Sequence, residues 1–198
     1  MIKTVQILHE ELSQYSDVGG KIRRMCENGE LFPLTHGSGI YETDGTVPGY
    51  CLAQIIGNPS YLSFEFALSK YNLIPESVFT FTSATYSKKK ARTVTNHFGK
   101  FTYRDVPATV YPLEVKCVYE NEYAYFIATP EKALCDKLYT LSPCANKTEL
   151  STLLFDDLRI DIDEFKKLNM NVLYELAPLY KNSNLKLLRS FIRKEVRL

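Results

Sequence analysis

Between Ser87 and Arg104 the chain reads SKKKARTVTNHFGKFTYR. Lys88, Lys89, Lys90, Arg92, Lys100 and Arg104 gather there without a single acid among them, beside Phe98, Phe101 and Tyr103. Cations at this density offer phosphate contacts, since each neutralised phosphate releases condensed counterions. A second set is Lys21, Arg23 and Arg24, turned away from the apolar Ile22 and Met25 of a short helical stretch. Arginine can read guanine with a two-pronged contact, whereas lysine tends to hold phosphate. His36 and Ser38 lie in the glycine-bearing loop Thr35–Gly39 just beyond. These positions are the candidate DNA-binding residues, with a solvated loop and helix face as the bland reading of both clusters.

The motif content of the chain points away from catalysis. No GxGxxG, P-loop, HExxH, GxSxG or CxxC pattern occurs. Asp156, Asp157, Asp161 and Asp163 in FDDLRIDIDEF read as helix caps and turns. His97 beside the basic run lacks a partner to orient it as a general base. Cys26, Cys51, Cys117, Cys135 and Cys144 are widely spaced, and His9, His36 and His97 are not at ligand spacing to them. We therefore expect reduced cysteines, mostly packed as small apolar groups, and a non-enzyme with no metal and no cofactor.

Composition sets the frame. The chain has 198 residues, 24 Lys+Arg against 23 Asp+Glu, and 45% hydrophobic residues, values of an ordinary globular protein. Residues 1–58 carry 4 basic and 7 acidic side chains, while residues 59–145 and 146–198 carry 10 and 8 each. Nucleic-acid binding must therefore come from local geometry, not net charge. No apolar run approaches the roughly 18 residues of a membrane span. Glu10 and Glu11 come too early for a signal peptide, so a cytoplasmic protein is expected.

The elements that must position these residues follow from periodicity. Residues 4–15 read as a first helix, with Val5, Leu8 and Leu12 on one face. A second spans Asp17–Asn28, with Ser16 or Asp17 as N-cap and Gly29 as its stop. Glu30–Leu34 and Ile40–Thr43 read as a hairpin. Helix, helix, hairpin is the order of a small winged helix. TDGTVPG (Thr43–Gly49) is turn-rich and reads as a linker. SFEFALSKYNLIP then forms a helix. VFTFTS, KFTYR, LEVKCVY and EYAYFIA alternate like strands of a half-buried sheet, with Leu113, Val115, Cys117 and Tyr119 on one face. ATPEKALCDKLYTL is a helix capped by Thr129, with Pro130 at its first position and an inner stripe of Leu134, Leu138 and Leu141. Three or four short helices complete the chain, NLKLLRSFIRKEVR last. The expected fold class is α+β. A reduced winged-helix module occupies residues 1–46. Residues 47–198 form a second domain of helix, antiparallel sheet and helices, with a helical C-terminal tail.

YLSFEFALSKYNLIPESVFTFTSAT, FGKFTYR and FIATPEKALCDKLY, in that order, resemble the AbiE-type antitoxin family. The resemblance spans about Gly39 to Tyr139. It implies a transcriptional regulator of a type IV toxin–antitoxin, abortive-infection (phage defence) system. The expected partners are operator DNA, bound by the winged helix, and a nucleotidyltransferase toxin as genetic partner, countered without a stable complex. The winged-helix role maps onto Asp17–Asn28 and GELFPLTHGSGIYE, whose loop carries Ser38 where the family often has an arginine. The alternative is a module of the same kind of system that acts through RNA or protein contact and does not bind DNA.

Overall fold

The structure is a computed structural model that describes residues 1–193. It is a mixed α+β fold built on two sheets. The first part of the chain runs β1 (Ile2–Thr4), α1 (Val5–Glu11), α2 (Val18–Glu27), β2 (Phe32–Pro33) and β3 (Ile40–Glu42). β3 lies between β1 and β2 and pairs antiparallel with both. The expected helix at residues 4–15 is thus shorter and preceded by a strand. Thr4 adopts extended backbone and caps α1, so helix cannot extend toward the N-terminus through it. Leu8, Ile22 and Leu31 form a small core of their own, flanked by Val5, Leu12, Val18, Met25, Cys26 and Tyr41.

The TDGTVPG stretch leads directly into α3 (Gly49–Ile56), which the sequence reading did not foresee. The short strand β4 (Tyr61–Leu62) and α4 (Phe64–Lys70) follow. Next come β5 (Thr80–Thr85), β6 (Arg92–Asn96), β7 (Gly99–Asp105), β8 (Val115–Glu120) and β9 (Tyr123–Ala128). The second sheet has the order β6-β7-β5-β4-β9-β8. It is mixed, not antiparallel as expected: β5 pairs with β7, and β4 with β9, in parallel. Alternation reports which side chains share a face but not strand direction, and the β6–β7 hairpin folds back so that β7 slots in beside β5.

α5 (Pro130–Tyr139) is capped by Thr129, whose hydroxyl accepts from Lys132 N. The tail holds α6 (Lys147–Thr152), a π-helical turn (Leu153–Asp157), α7 (Ile162–Lys167), α8 (Met170–Leu176), a 3-10 turn (Ala177–Tyr180) and α9 (Ser183–Ile192). The part of the expected last helix beyond Arg193 lies outside the described residues. Asp161 caps α7 by accepting from Asp163 N and Glu164 N, the role read for this acidic stretch.

One large core joins α3, α4, α5, the second sheet and the tail helices, and Leu34 of the N-terminal segment belongs to it. On the edge strand β8 the expected inner face fails: Tyr119 is 75% exposed and Cys117 is exposed. An edge strand has one neighbour and little to cover it, so alternation there carries less information about burial. Cys51 and Cys135 are buried, the other cysteines are not, and all are free.

Candidate nucleic-acid interface

α2 begins where the Asp17 carboxylate accepts from Gly20 N at 2.8 Å. A Cβ at Gly20 would lie 1.9 Å from that carboxylate, so the glycine that costs helix propensity is what lets the cap close. Ile22 is buried against Leu8 and Leu31, which turns Arg23 and Arg24 to solvent. Arg23 Nε donates to Glu27 Oε1 at 3.0 Å, an exposed pair worth little by itself. Lys21 sits 5.4 Å above the Tyr15 ring. In the hairpin loop, Gly37 and Gly39 take positive φ. Ser38 Oγ donates to Thr35 O at 3.0 Å and accepts from Ile40 N at 3.3 Å. Ser38 therefore shapes the loop, and both it and His36 are exposed.

A groove of about 1010 Å³ runs between α2, the β2–β3 hairpin and β6. It brings Arg23 and His36 of the first sheet's unit together with Arg92 of the basic run, and with His97. The junction is well built. His97 Nε2 lies 2.9 Å from Gly45 O, and its ring packs on Phe32 with centroids 4.3 Å apart. Asn96 Nδ2 donates to Leu34 O at 2.7 Å. At the end of β3, the buried Glu42 accepts from Tyr123 OH at 3.1 Å, from Asp44 N and from the Met1 amino group.

The lysine run is acid-free in sequence but not in space. Asp105 Oδ2 accepts from Lys88 N at 2.7 Å and Lys89 N at 2.8 Å, while its Oδ1 accepts from Thr85 Oγ1 at 2.7 Å. Ser87 and Lys89 adopt left-handed backbone to make this turn. The side chains of Lys88, Lys89 and Lys90 are exposed. Lys88, Lys90 and Arg92 border a second pocket of about 280 Å³, together with Asn58, Thr85 and Tyr103. Arg92 borders both cavities.

Two candidates lie elsewhere. Arg92 is paired with Tyr103 and Lys100 with Thr95, so Lys100 is on the opposite sheet face from Arg92. Arg104 is engaged by Glu65, with its guanidinium 4.0 Å over the Phe64 ring. Lys137 Nζ reaches the other Glu65 oxygen at 2.6 Å. Burial alone would raise the Glu65 pKa, but the hydrogen bonds and charges of Arg104 and Lys137 outweigh it and hold the carboxyl at about 2.

This pair of contacts yields a pH-dependence prediction. A folded-state pKa below the unfolded value gives stability that is present above the unfolded pKa near 4.5 and lost as pH falls toward 2. Wild type should exceed Glu65→Gln by about 1–2 kcal/mol at pH 7, after discounting for partial solvent screening. Urea unfolding should show the gap closing between pH 4.5 and 2. A gap of constant size over that range would refute the assignment.

Sequence reasoning missed a buried polar network beside these residues. Asp136 and Lys132 on α5 are both fully buried, with Lys132 Nζ 3.4 Å from Asp136 Oδ1. Asp136 also accepts from Tyr61 OH at 2.9 Å, Ser63 Oγ at 2.7 Å and Tyr180 OH at 2.5 Å. Lys132 donates to Val110 O at 2.7 Å. Burial pushes the Asp136 carboxyl up and the Lys132 ammonium down, against the pull of their mutual contact. With no access to solvent, the network ties β4, α5 and the Ala177–Tyr180 turn together. A signal existed. Lys132 and Asp136 stand at i and i+4 on α5, beside Ala133, Leu134, Cys135 and Leu138, a spacing that lets opposite charges meet on one helix face.

Among the described residues, no group of three His, Cys, Asp or Glu side chains could hold a metal ion. No helix there is long and apolar enough to cross a membrane. Neither a scan against protein-family models nor a search of curated proteins finds a match to this chain.

Proposed function

We propose that the chain is an antitoxin and transcriptional autoregulator of a type IV toxin–antitoxin operon, acting in the cytoplasm and binding operator DNA through a reduced N-terminal winged helix. The observation that carries the DNA-binding reading is the path β1-α1-α2-β2-β3 with β3 central in its sheet, which leaves Arg23 and Arg24 of α2 exposed. In this reading α2 is the recognition helix and the β2–β3 hairpin with His36 is the wing. An α-helix with its side chains is about 10–12 Å across, which suits the major groove of about 12 Å. The ten residues of α2 span about 15 Å, enough to cross it.

The antitoxin part rests on the resemblance of the middle of the chain. Its support is that the three motifs meet in space: Glu65 of the first holds Arg104 of the second and Lys137 of the third. Tyr61 and Ser63 likewise reach Asp136. The partner is a nucleotidyltransferase toxin, countered without a stable complex. A module that acts through RNA or protein is the second reading, favoured by the acidic excess of residues 1–58.

The experiment is a gel-shift titration on DNA upstream of the gene. Replacing Arg23 and Arg24 by alanine should cost about 1–3 kcal/mol for each side chain that reads a base. The melting temperature should hold, since both side chains are exposed. The same variant should still rescue growth when the adjacent toxin reading frame is induced. Unaltered operator affinity would remove DNA recognition from α2, and loss of rescue would join the two activities that this reading separates.

A further inference from the structure

We infer that the open edge of β6, with the groove beside it, seats an extended acidic peptide segment as an added strand. β6 pairs with β7 alone and ends the second sheet. The hairpin closes at Asn96 and Gly99 with a two-residue turn. Hydrogen-bonded pairs alternate from there, so Arg92, Val94 and Asn96 point their main-chain groups at β7. Thr93 and Thr95 point theirs outward, and among the described residues these groups have no hydrogen-bond partner.

The groove lies along this edge. All of β6 borders it, and α2 forms the facing wall. Strand edge against helix across a groove is a recurring way to hold a peptide: main-chain hydrogen bonds supply affinity and pockets for alternate side chains supply selectivity. Ile22, Cys26, Leu31, Tyr41 and Val94 make the lining apolar enough for one set of alternate side chains. Arg23, paired to Glu27 outside the groove, and His36, Arg92 and His97 border the same groove, and among the described residues no Asp or Glu lines it. The complementary segment therefore carries carboxylates. β6 has five residues, about 17 Å of strand, which sets the length of the segment.

A nucleic-acid strand fits this edge less well. Its phosphates would satisfy the cations but would face the outward carbonyl oxygens of Thr93 and Thr95, which need donors. A peptide main chain brings both donors and acceptors. The charges around β6 also explain how an open edge avoids pairing with other chains at random, since cationic edges repel basic strands and leave neutral ones unrewarded.

The inference goes beyond the DNA-binding reading, and its test spares Arg23 and Arg24. The probe is a fluorescein-labelled, N-acetylated heptapeptide of alternating valine and glutamate, titrated with the full chain and read by anisotropy. We expect saturable binding. The same peptide with lysine for glutamate, or N-methylated at alternate amides, should bind at least about tenfold more weakly, the value of roughly one hydrogen bond or charge contact. Thr95→Pro should weaken the glutamate peptide similarly, because proline removes an outward donor without touching the bonds to β7. Should that variant fail to fold, the N-methylated peptide makes the same cut on the wild-type chain. Equal binding of glutamate and lysine peptides, or indifference to N-methylation, would overturn the proposal. So would displacement of the bound glutamate peptide by a 12-nucleotide oligothymidylate at lower concentration than by the unlabelled peptide itself.

Discussion

Replacing Asp136 by alanine is expected to cost about 3–5 kcal/mol of folding stability, the penalty for breaking a buried charge pair from one side. The change strands the Lys132 ammonium with one carbonyl partner and leaves the hydroxyls of Tyr61, Ser63 and Tyr180 without an acceptor. A domain of this kind holds about 5–15 kcal/mol in total, so the loss is a large part of it. The measurement is urea unfolding followed by circular dichroism. Tyr180→Phe deletes one donor and keeps the ring, so it should cost about 1 kcal/mol and remain foldable. A loss below about 1 kcal/mol for Asp136→Ala would mean that the network contributes little.

Phe101→Ala is the second large effect, expected at about 3–5 kcal/mol. The ring is fully buried on β7 and packs on Phe81 at 5.1 Å between centroids. Alanine there removes apolar contact and leaves a cavity that the paired strands on either side cannot close. The neighbouring Lys100→Ala should stay within about 0.5 kcal/mol, because that side chain is exposed. Denaturant midpoints for the two variants test both statements, and comparable shifts for both would show that β7 does not sort its faces as described.

That contrast shows what periodicity made legible. In KFTYR, Phe101 and Tyr103 turn inward and Lys100 outward, as the alternation predicted, because β7 is flanked by strands on both sides. The same logic failed on LEVKCVY, where β8 is an edge strand, and on VFTFTS, where Phe79 lies just outside β5 and is 85% exposed. The cap at Asp17, the loop at Gly37 and Gly39 and the α5 start at Thr129 were readable because they depend on neighbours within a few residues. β1 was not, since three residues form a strand only by pairing with β3, some forty positions away.

The candidate site divides along the same line. The sequence singled out Arg23, His36 and Arg92, but only tertiary packing brings them to one groove. Arg104 looked like a free cation and is instead held by Glu65, because its partner is remote in sequence. Asp105 sits directly after Arg104, yet its role under the lysine turn needs β7 to end beside β5. Charge runs can be counted in a sequence, whereas their compensation is a long-range property.

The strand order also bears on how the protein emerges from a ribosome. β4 lies mid-sheet, but its parallel neighbour β9 is translated some sixty residues after it, at Ile127 beside Leu62. β5 similarly waits for β7 while β6 is made first. Such non-local pairing is slow to form and exposes unpaired edges until it does. For the seconds that synthesis of that stretch takes, Tyr61 and Leu62 have an open side, an interval in which the growing sheet offers an unpaired edge to other chains.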